Sequence, residues 1–173
     1  MNYTQLIPSP LGNILLSADE IGLTGLWFEG EKYYADALPR EHIERETPIL
    51  MDTKRWLDVY FTGREPDFTP PLHPTGSTFR MTIWRLLLQI PYGQTTTYGE
   101  LAKRLECGRM SAQAIGGAVG HNPISIIVPC HRVVGANGSL TGYAGGLDRK
   151  IRLLEIEQTD MHGLFRPKKG TAI

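Results

Sequence analysis

The sequence predicts an α/β chain of two small domains: a sheet-bearing N-terminal part and a mainly helical C-terminal part built on a helix-turn-helix. Three observations carry this. Thr69 to Gly76 contains three prolines and a glycine, which neither a helix nor a central strand tolerates, so it is the expected linker. Short β-patterned runs precede that stretch and helical patterns follow it. The formal net charge of zero is split, with six Lys/Arg against twelve Asp/Glu in residues 1–75 and twelve against six in residues 76–173. The expected bounds are 1–75 for the α/β domain, 76–158 for the helical domain and 159–173 for a loose basic tail.

Tyr3 to Pro8, Gly12 to Ala18 and Leu23 to Phe28 read as strands separated by turns. Thr47 then offers an N-cap and Pro48 a first helical residue, with Leu50, Leu57, Tyr60 and Phe61 on one face and Gly63 as a stop. After the divide, Ser77 or Thr78 caps a helix presenting Phe79, Ile83, Trp84, Leu87 and Leu88. Thr97 caps a short helix ending at Gly108, and Ser111 caps a second with Ala112, Ile115, Ala118 and Val119. The small residues Ala114, Gly116, Gly117, Ala118 and Gly120 disfavour a helix, so the run is expected to exist for close contact. Ile124 to Val128 and Arg132 to Val134 read as a buried strand interrupted at Pro129-Cys130-His131, Gly135 to Gly138 as a turn, and Leu140 to Tyr143 as the return of a wing hairpin. A last helix carries Leu147, Ile151 and Leu154 and ends near Glu157.

No apolar run approaches the roughly 18 residues of a membrane span, and the N-terminus has no signal-peptide pattern, so the chain reads as cytoplasmic with no membrane partner. A basic half beside an acidic one points to a polyanion met by the C-terminal part, or to two solvated surfaces of unequal composition. Cys107 and Cys130 are the only cysteines, too few for a disulfide framework. A zinc site would need both of them and scattered histidines without metal-ligand spacing, so no metal is expected.

Cys130 and His131 stand at an abrupt end of an apolar run. Neighbours on an extended chain point to opposite sides, so the pair can act together only if the backbone turns there, which Pro129 favours. A free thiol is only a few per cent thiolate at neutral pH and needs a base or positive charge to become a nucleophile. Taken alone, the pair points first to a buried structural cysteine. Cys107, beside Gly108 with no adjacent base, reads as structural or incidental.

Ile90-Pro91-Tyr92-Gly93, Thr97-Tyr98-Gly99, Ala114-Ile115-Gly116-Gly117-Ala118, Asn122-Pro123, Ile127-Val128-Pro129-Cys130-His131-Arg132-Val133, Gly142-Tyr143-Ala144-Gly145-Gly146 and Lys150-x-x-Leu153-Leu154-x-x-Glu157 occur in that order. Together they resemble the O6-alkylguanine-DNA alkyltransferases from about Thr78 to Glu157, with only a loose likeness over residues 1–75. The resemblance implies a ribonuclease-H-like N-terminal domain and a winged-helix domain that carries the active cysteine. It implies that Cys130 accepts the alkyl group, that His131 draws off its proton through a water, and that Glu157 orients the imidazole. It further implies that Asn122 organises the site, that Tyr98 donates to the guanine ring, and that the Val133 carbonyl and Ala144 amide hold the base edge. Ala112, Gln113, Gly116, Gly117, Ser125, Arg132 and Tyr143 are implied with them as residues that meet the substrate or the DNA. The implied partner is double-stranded DNA containing alkylated bases, met by a monomer in its minor groove with the damaged nucleotide rotated out. The implied reaction is one transfer per protein from O6-alkylguanine, and from O4-alkylthymine, with no cofactor.

Two departures stand out. Family members usually place an arginine where this chain has Gln113, and some relatives carry a zinc site built from N-terminal cysteines that this chain lacks. A non-catalytic lesion binder of the alkyltransferase-like kind lacks the cysteine that is present here. A winged-helix transcription factor would not need Cys130, His131 and Glu157 together.

Overall fold

The computed structural model describes residues 1–105 and 112–167. The expectations placed on Cys107, Gly108, Ser111 and the last six residues lie outside the described residues.

β1 (Asn2–Ile7), β2 (Ile14–Ala18) and β3 (Leu23–Phe28) form an antiparallel meander, and β4 (His42–Glu44) adds in parallel to β1, giving the order β3-β2-β1-β4. β2 is central and buries Ile14, Leu16 and Ala18, while the β4 edge is exposed. α1 (Pro48–Phe61) starts where the Thr47 hydroxyl accepts from Leu50 N, and it buries Leu50, Thr53, Trp56, Leu57 and Tyr60 at helical spacing. α2 (Thr78–Leu87) is capped by Ser77. Its Trp84 indole donates to the Ala118 carbonyl at 2.8 Å, fixing α2 against the helix that carries Ala118.

β5 (Thr96–Thr97) leads into α3 (Tyr98–Arg104), capped by the Thr97 hydroxyl, and α3 packs on α4 (Ala112–Gly120). α5 (Leu147–Ile156) ends at Glu157. One continuous core joins the halves, from Leu26, Phe28 and Tyr60 on one side to Ile83, Ile115, Val119 and Leu153 on the other.

Five expectations are corrected. Ile124 to Val128 is buried but is not a strand, because the Asn122 side chain folds it into turns. The wing hairpin over Leu140 to Tyr143 does not form. Instead β6 (Val133–Val134) pairs in parallel with β5, and Ser139 bridges to Phe165. The tail is therefore not loose as far as residue 167: Leu140 N donates to Phe165 O at 2.8 Å, and Met161 and Leu164 pack against Leu140 and Leu154. The proline stretch is a docked edge, since Leu23 N donates to Pro71 O and His73 N to Leu23 O, each at 2.7 Å. Leu88, placed on the inner face of α2 by periodicity, is 45% exposed at its C-cap.

Candidate active site

The site begins with Asn122, at the end of α4. Its amide nitrogen donates to Val128 O at 2.7 Å and Ile124 O at 3.3 Å, while its oxygen accepts from Ile124 N at 3.0 Å. These bonds close residues 122–128 into a loop in which Ile126 takes φ 71°, a left-handed conformation that costs a β-branched residue about 1–3 kcal/mol. The loop is anchored on the free edge of β3, where Leu26 N donates to Pro123 O at 2.8 Å and Ser125 N to Leu26 O at 3.0 Å. The N-terminal sheet thus supports the loop that presents the cysteine.

Pro129 ends the loop and Cys130–Arg132 form one 3-10 turn, with Arg132 N donating to Pro129 O at 3.0 Å. The turn replaces the extended backbone that would point Cys130 and His131 to opposite sides, and it buries all three side chains. His131 Nε2 lies 2.6 Å from Glu157 Oε2, and Arg132 Nε donates to Oε1 at 2.8 Å. Arg132 also donates to Ile90 O at 2.7 Å. Two more donors reach the same carboxylate: the Tyr60 hydroxyl to Oε2 at 2.6 Å and Gly93 N to Oε1 at 3.2 Å.

Burial raises the Glu157 carboxyl, yet the bonds and charges of His131 and Arg132 overcome it and hold the group at about 2. Glu157 is therefore ionised at neutral pH, which makes His131 Nε2 a donor and leaves Nδ1 with the lone pair. Nδ1 is buried and has no hydrogen-bond partner among the described residues. Burial holds the His131 imidazole below its ordinary 6.5, against the pull of Glu157. Burial also pushes the Cys130 thiol up to about 11, while the Asn122 amide and the Lys150 charge work the other way. At rest, then, the site holds a thiol beside a neutral imidazole.

Lys150 lies inside the protein, 0% exposed. Its amine donates to Val133 O at 2.6 Å and Thr141 O at 2.8 Å, tying the strand after Cys130 to the loop at 140–146, and burial holds its pKa at about 8. The Val133 carbonyl expected to hold a base edge is thus already accepting from Lys150, with one lone pair left. The Tyr98 hydroxyl lies 3.4 Å from both Thr141 O and Gly142 O, long bonds that a better acceptor could replace. Burial raises that phenol to about 12, so it stays a donor. Tyr143 is buried 6.4 Å, centroid to centroid, from His131, with its ring over Gly145, where a Cβ would meet a ring carbon at 2.5 Å. Ser125 is buried next to it.

Ala144 is gripped from the N-terminal half, its carbonyl accepting from Lys32 N at 3.0 Å. Arg149 straps the same loop by donating to Gly145 O, Leu11 O and Glu29 O at 3.0–3.2 Å. On α4, Ala112 and Gln113 are exposed at the first turn, and a Cβ built on Gly116 or Gly117 would meet nothing within 4 Å. That helix face is open to a close neighbour. Gln113 belongs to it rather than to the cluster around Cys130.

The structure thus brings together Cys130, His131, Asn122, Glu157, Tyr98, Tyr143, Ser125, Arg132, Val133 and the Ala144 loop. Sequence reasoning missed Tyr60, Lys150, Glu31 and Arg149. Lys150 left a signal, a lysine within the Leu147, Ile151, Leu154 stripe. Tyr60 left none beyond its place on an apolar face. Glu31 is a buried carboxyl whose oxygen accepts from Phe28 N at 2.6 Å, and burial raises it to about 8.

Residues 78–159 match the family described as 6-O-methylguanine DNA methyltransferase, DNA binding domain, and residues 2–74 match its ribonuclease-like domain. The chain is 43% identical over 159 residues to a Methanosarcina mazei protein named methylated-DNA--protein-cysteine methyltransferase, covering 92% of this chain and 99% of that one. It is 41% identical to a Haemophilus influenzae protein of the same name, covering 90% and 86%. Among solved structures, Mycobacterium tuberculosis OGT in complex with DNA superposes with a TM-score of 0.80 at 40% identity, covering 90% of this chain and 92% of that one.

Proposed function

The chain belongs to the 6-O-methylguanine DNA methyltransferase family, and from that premise we propose that it repairs DNA by moving an alkyl group from O6 of guanine onto the sulfur of its own Cys130. The observation that carries the assignment is the buried His131–Glu157 pair on the same 3-10 turn as the buried Cys130, with the imidazole fixed at 2.6 Å by an ionised carboxylate and Nδ1 left as the base. The Cys130 thiol proton passes to His131 through a water, and the imidazolium so formed is stabilised by Glu157. The sulfur attacks the alkyl carbon, a C–S bond forms as the C–O6 bond breaks, and the electron pair leaves with the guanine. The Tyr98 hydroxyl donates to the guanine ring and stabilises the departing base. Because the resting thiol sits near 11 and the imidazole below 6.5, transfer of the proton is uphill until the lesion is in place. That guards a nucleophile whose use is irreversible, since a thioether is not cleaved by ordinary reductants.

A base stacked in a duplex is out of reach of a buried sulfur, so the nucleotide must rotate out. The open, small-residue face of α4 suits a close minor-groove approach, and the basic residues of 76–173 suit the phosphates. No helix among the described residues is long and apolar enough to cross a membrane. On this reading the protein acts as a monomer on duplex DNA, with residues 1–75 and 76–158 as its two domains. O4-alkylthymine is a second substrate.

The test is the Cys130→Ala protein, which should lose all transfer from O6-methylguanine DNA yet bind the same duplex as tightly as wild type, because phosphate contacts dominate affinity. Demethylation by the alanine variant would assign the acceptor elsewhere.

A further inference from the structure

We infer that Tyr60, contributed by α1 of the N-terminal half, is a positioning residue for the His131–Glu157 pair: its hydroxyl shares the carboxylate oxygen that faces the imidazole and limits how much of that oxygen's charge His131 receives. The inference rests on the assignment of Cys130, His131 and Glu157 as the transfer machinery.

Tyr60 and Glu157 lie 97 positions apart, yet their oxygens meet at 2.6 Å, as short as the contact of His131 Nε2 with the same Oε2. Among the described residues the phenol's other acceptor is Leu153 O at 3.5 Å, too long to compete. The ring is held by a stack on Trp56 at 5.2 Å and by edge contacts with Phe61 at 5.4 Å and Tyr92 at 6.3 Å. A ring clamped in this way directs its hydroxyl without much loss of rotamer freedom on binding the carboxylate. Burial and the neighbouring Glu157 charge keep the phenol protonated, so it remains a donor throughout the working range.

The charged and titratable groups around the pair come from every element packed there. Arg132 stands on the 3-10 turn, Lys150 on α5, Tyr92 and the Gly93 amide after α2, and Tyr143 on the 140–146 loop, while Glu65, after α1, acts on Tyr92. Arg132 and Gly93 donate to Oε1, whereas Oε2 takes Tyr60 and His131. Removing the phenol hydroxyl therefore leaves the imidazole facing an oxygen with no second donor. A hydrogen bond to a charged group is strong enough to move a partner's titration by about one unit. Without Tyr60, His131 becomes more basic and is protonated, hence useless as a base, up to a higher pH.

The experiment compares the full-length wild type with Tyr60→Phe and with a protein carrying 3-fluorotyrosine at position 60, a stronger donor. Each is given duplex DNA containing O6-methylguanine in single-turnover assays across pH, and the His131 ring is titrated by NMR in the DNA-free protein. Tyr60→Phe should move the acid limb of the rate profile and the His131 titration up by about one unit, and fluorotyrosine should move both down. Limbs and titrations that coincide with wild type would overturn the inference, as would shifts of the same sign in both variants, since a merely structural tyrosine changes stability without ordering the two signs. If Tyr60→Phe fails to fold, the fluorotyrosine shift decides alone. A Cys130→Ser control separates the two claims: transfer that survives in it refutes the assignment of the machinery, while its loss alongside unmoved limbs refutes Tyr60 alone.

Discussion

Replacing Glu157 by glutamine keeps the shape of the side chain and removes the charge that four donors share. Two quantities follow. The folded carboxyl sits at about 2 against an ordinary 4.5, a difference of about 2.5 units, or roughly 3 kcal/mol of stability. A folded pKa below the unfolded one gives stability that is complete above the unfolded value and is lost as pH falls from 4.5 through about 2. The Arg132 ion pair is part of that sum: the substitution leaves the buried guanidinium without its anion, and breaking a buried pair costs about 3–5 kcal/mol. For the reaction, the imidazolium formed when Cys130 loses its proton is deprived of a charged partner worth about 1.5–3 kcal/mol, so transfer should slow roughly 10- to 150-fold. Urea unfolding measures the first effect at about pH 7 and again at about pH 3, where the gap between the proteins should narrow. Single-turnover transfer per folded molecule measures the second. A variant within about 1 kcal/mol of wild type at neutral pH would refute the electrostatic account of this carboxylate. Equal transfer rates from about pH 6 to about pH 9 would show that it only caps α5.

Glu31→Gln should have the opposite sign. Burial raises the Glu31 carboxyl to about 8, so its contribution is present below 4.5 and is lost as pH rises through 8; the amide, which keeps the acceptor for Phe28 N, should raise the Tm at about pH 8 and leave it unchanged at about pH 4. A lower Tm at the alkaline end would mean that Arg149 stabilises the charged form. Gln113→Arg should speed transfer on duplex DNA and leave transfer from the free modified base nearly unchanged, because the arginine would add charge and stacking area where the base has been withdrawn. Equal changes on both substrates, or none on either, would remove Gln113 from base extrusion.

Helix starts were legible because their signals are local: Thr47, Ser77 and Thr97 each cap with their own hydroxyl, as their place before an apolar stripe suggests. The first three strands were legible from alternation. Ile124 to Val128 was not, since an unbroken apolar run does not reveal that one amide, Asn122, will fold it into a loop through a left-handed isoleucine. The turn at Gly135 to Gly138 was real, with Gly138 N donating to Gly135 O at 2.9 Å, but its pairing partner is the tail near Phe165 rather than Leu140 to Tyr143. In the site, Cys130, His131 and Glu157 could be grouped only through the family motifs, and only coordinates bring the last of them to 2.6 Å from the imidazole. Lys150 was in plain view as a lysine on an apolar stripe. Tyr60 was hidden because its partner lies in the other half of the chain, reached by a core that both halves share.

Intact-protein mass spectrometry after mixing with duplex DNA that carries one O6-methylguanine shows whether Cys130 is the acceptor. A gain of one methyl group per protein is expected, located by peptide mapping on Cys130, with repair stopping when protein and lesion are consumed in equal amounts. An unchanged protein mass, a methyl group on any other residue, or repair that continues past one lesion per molecule would contradict that assignment.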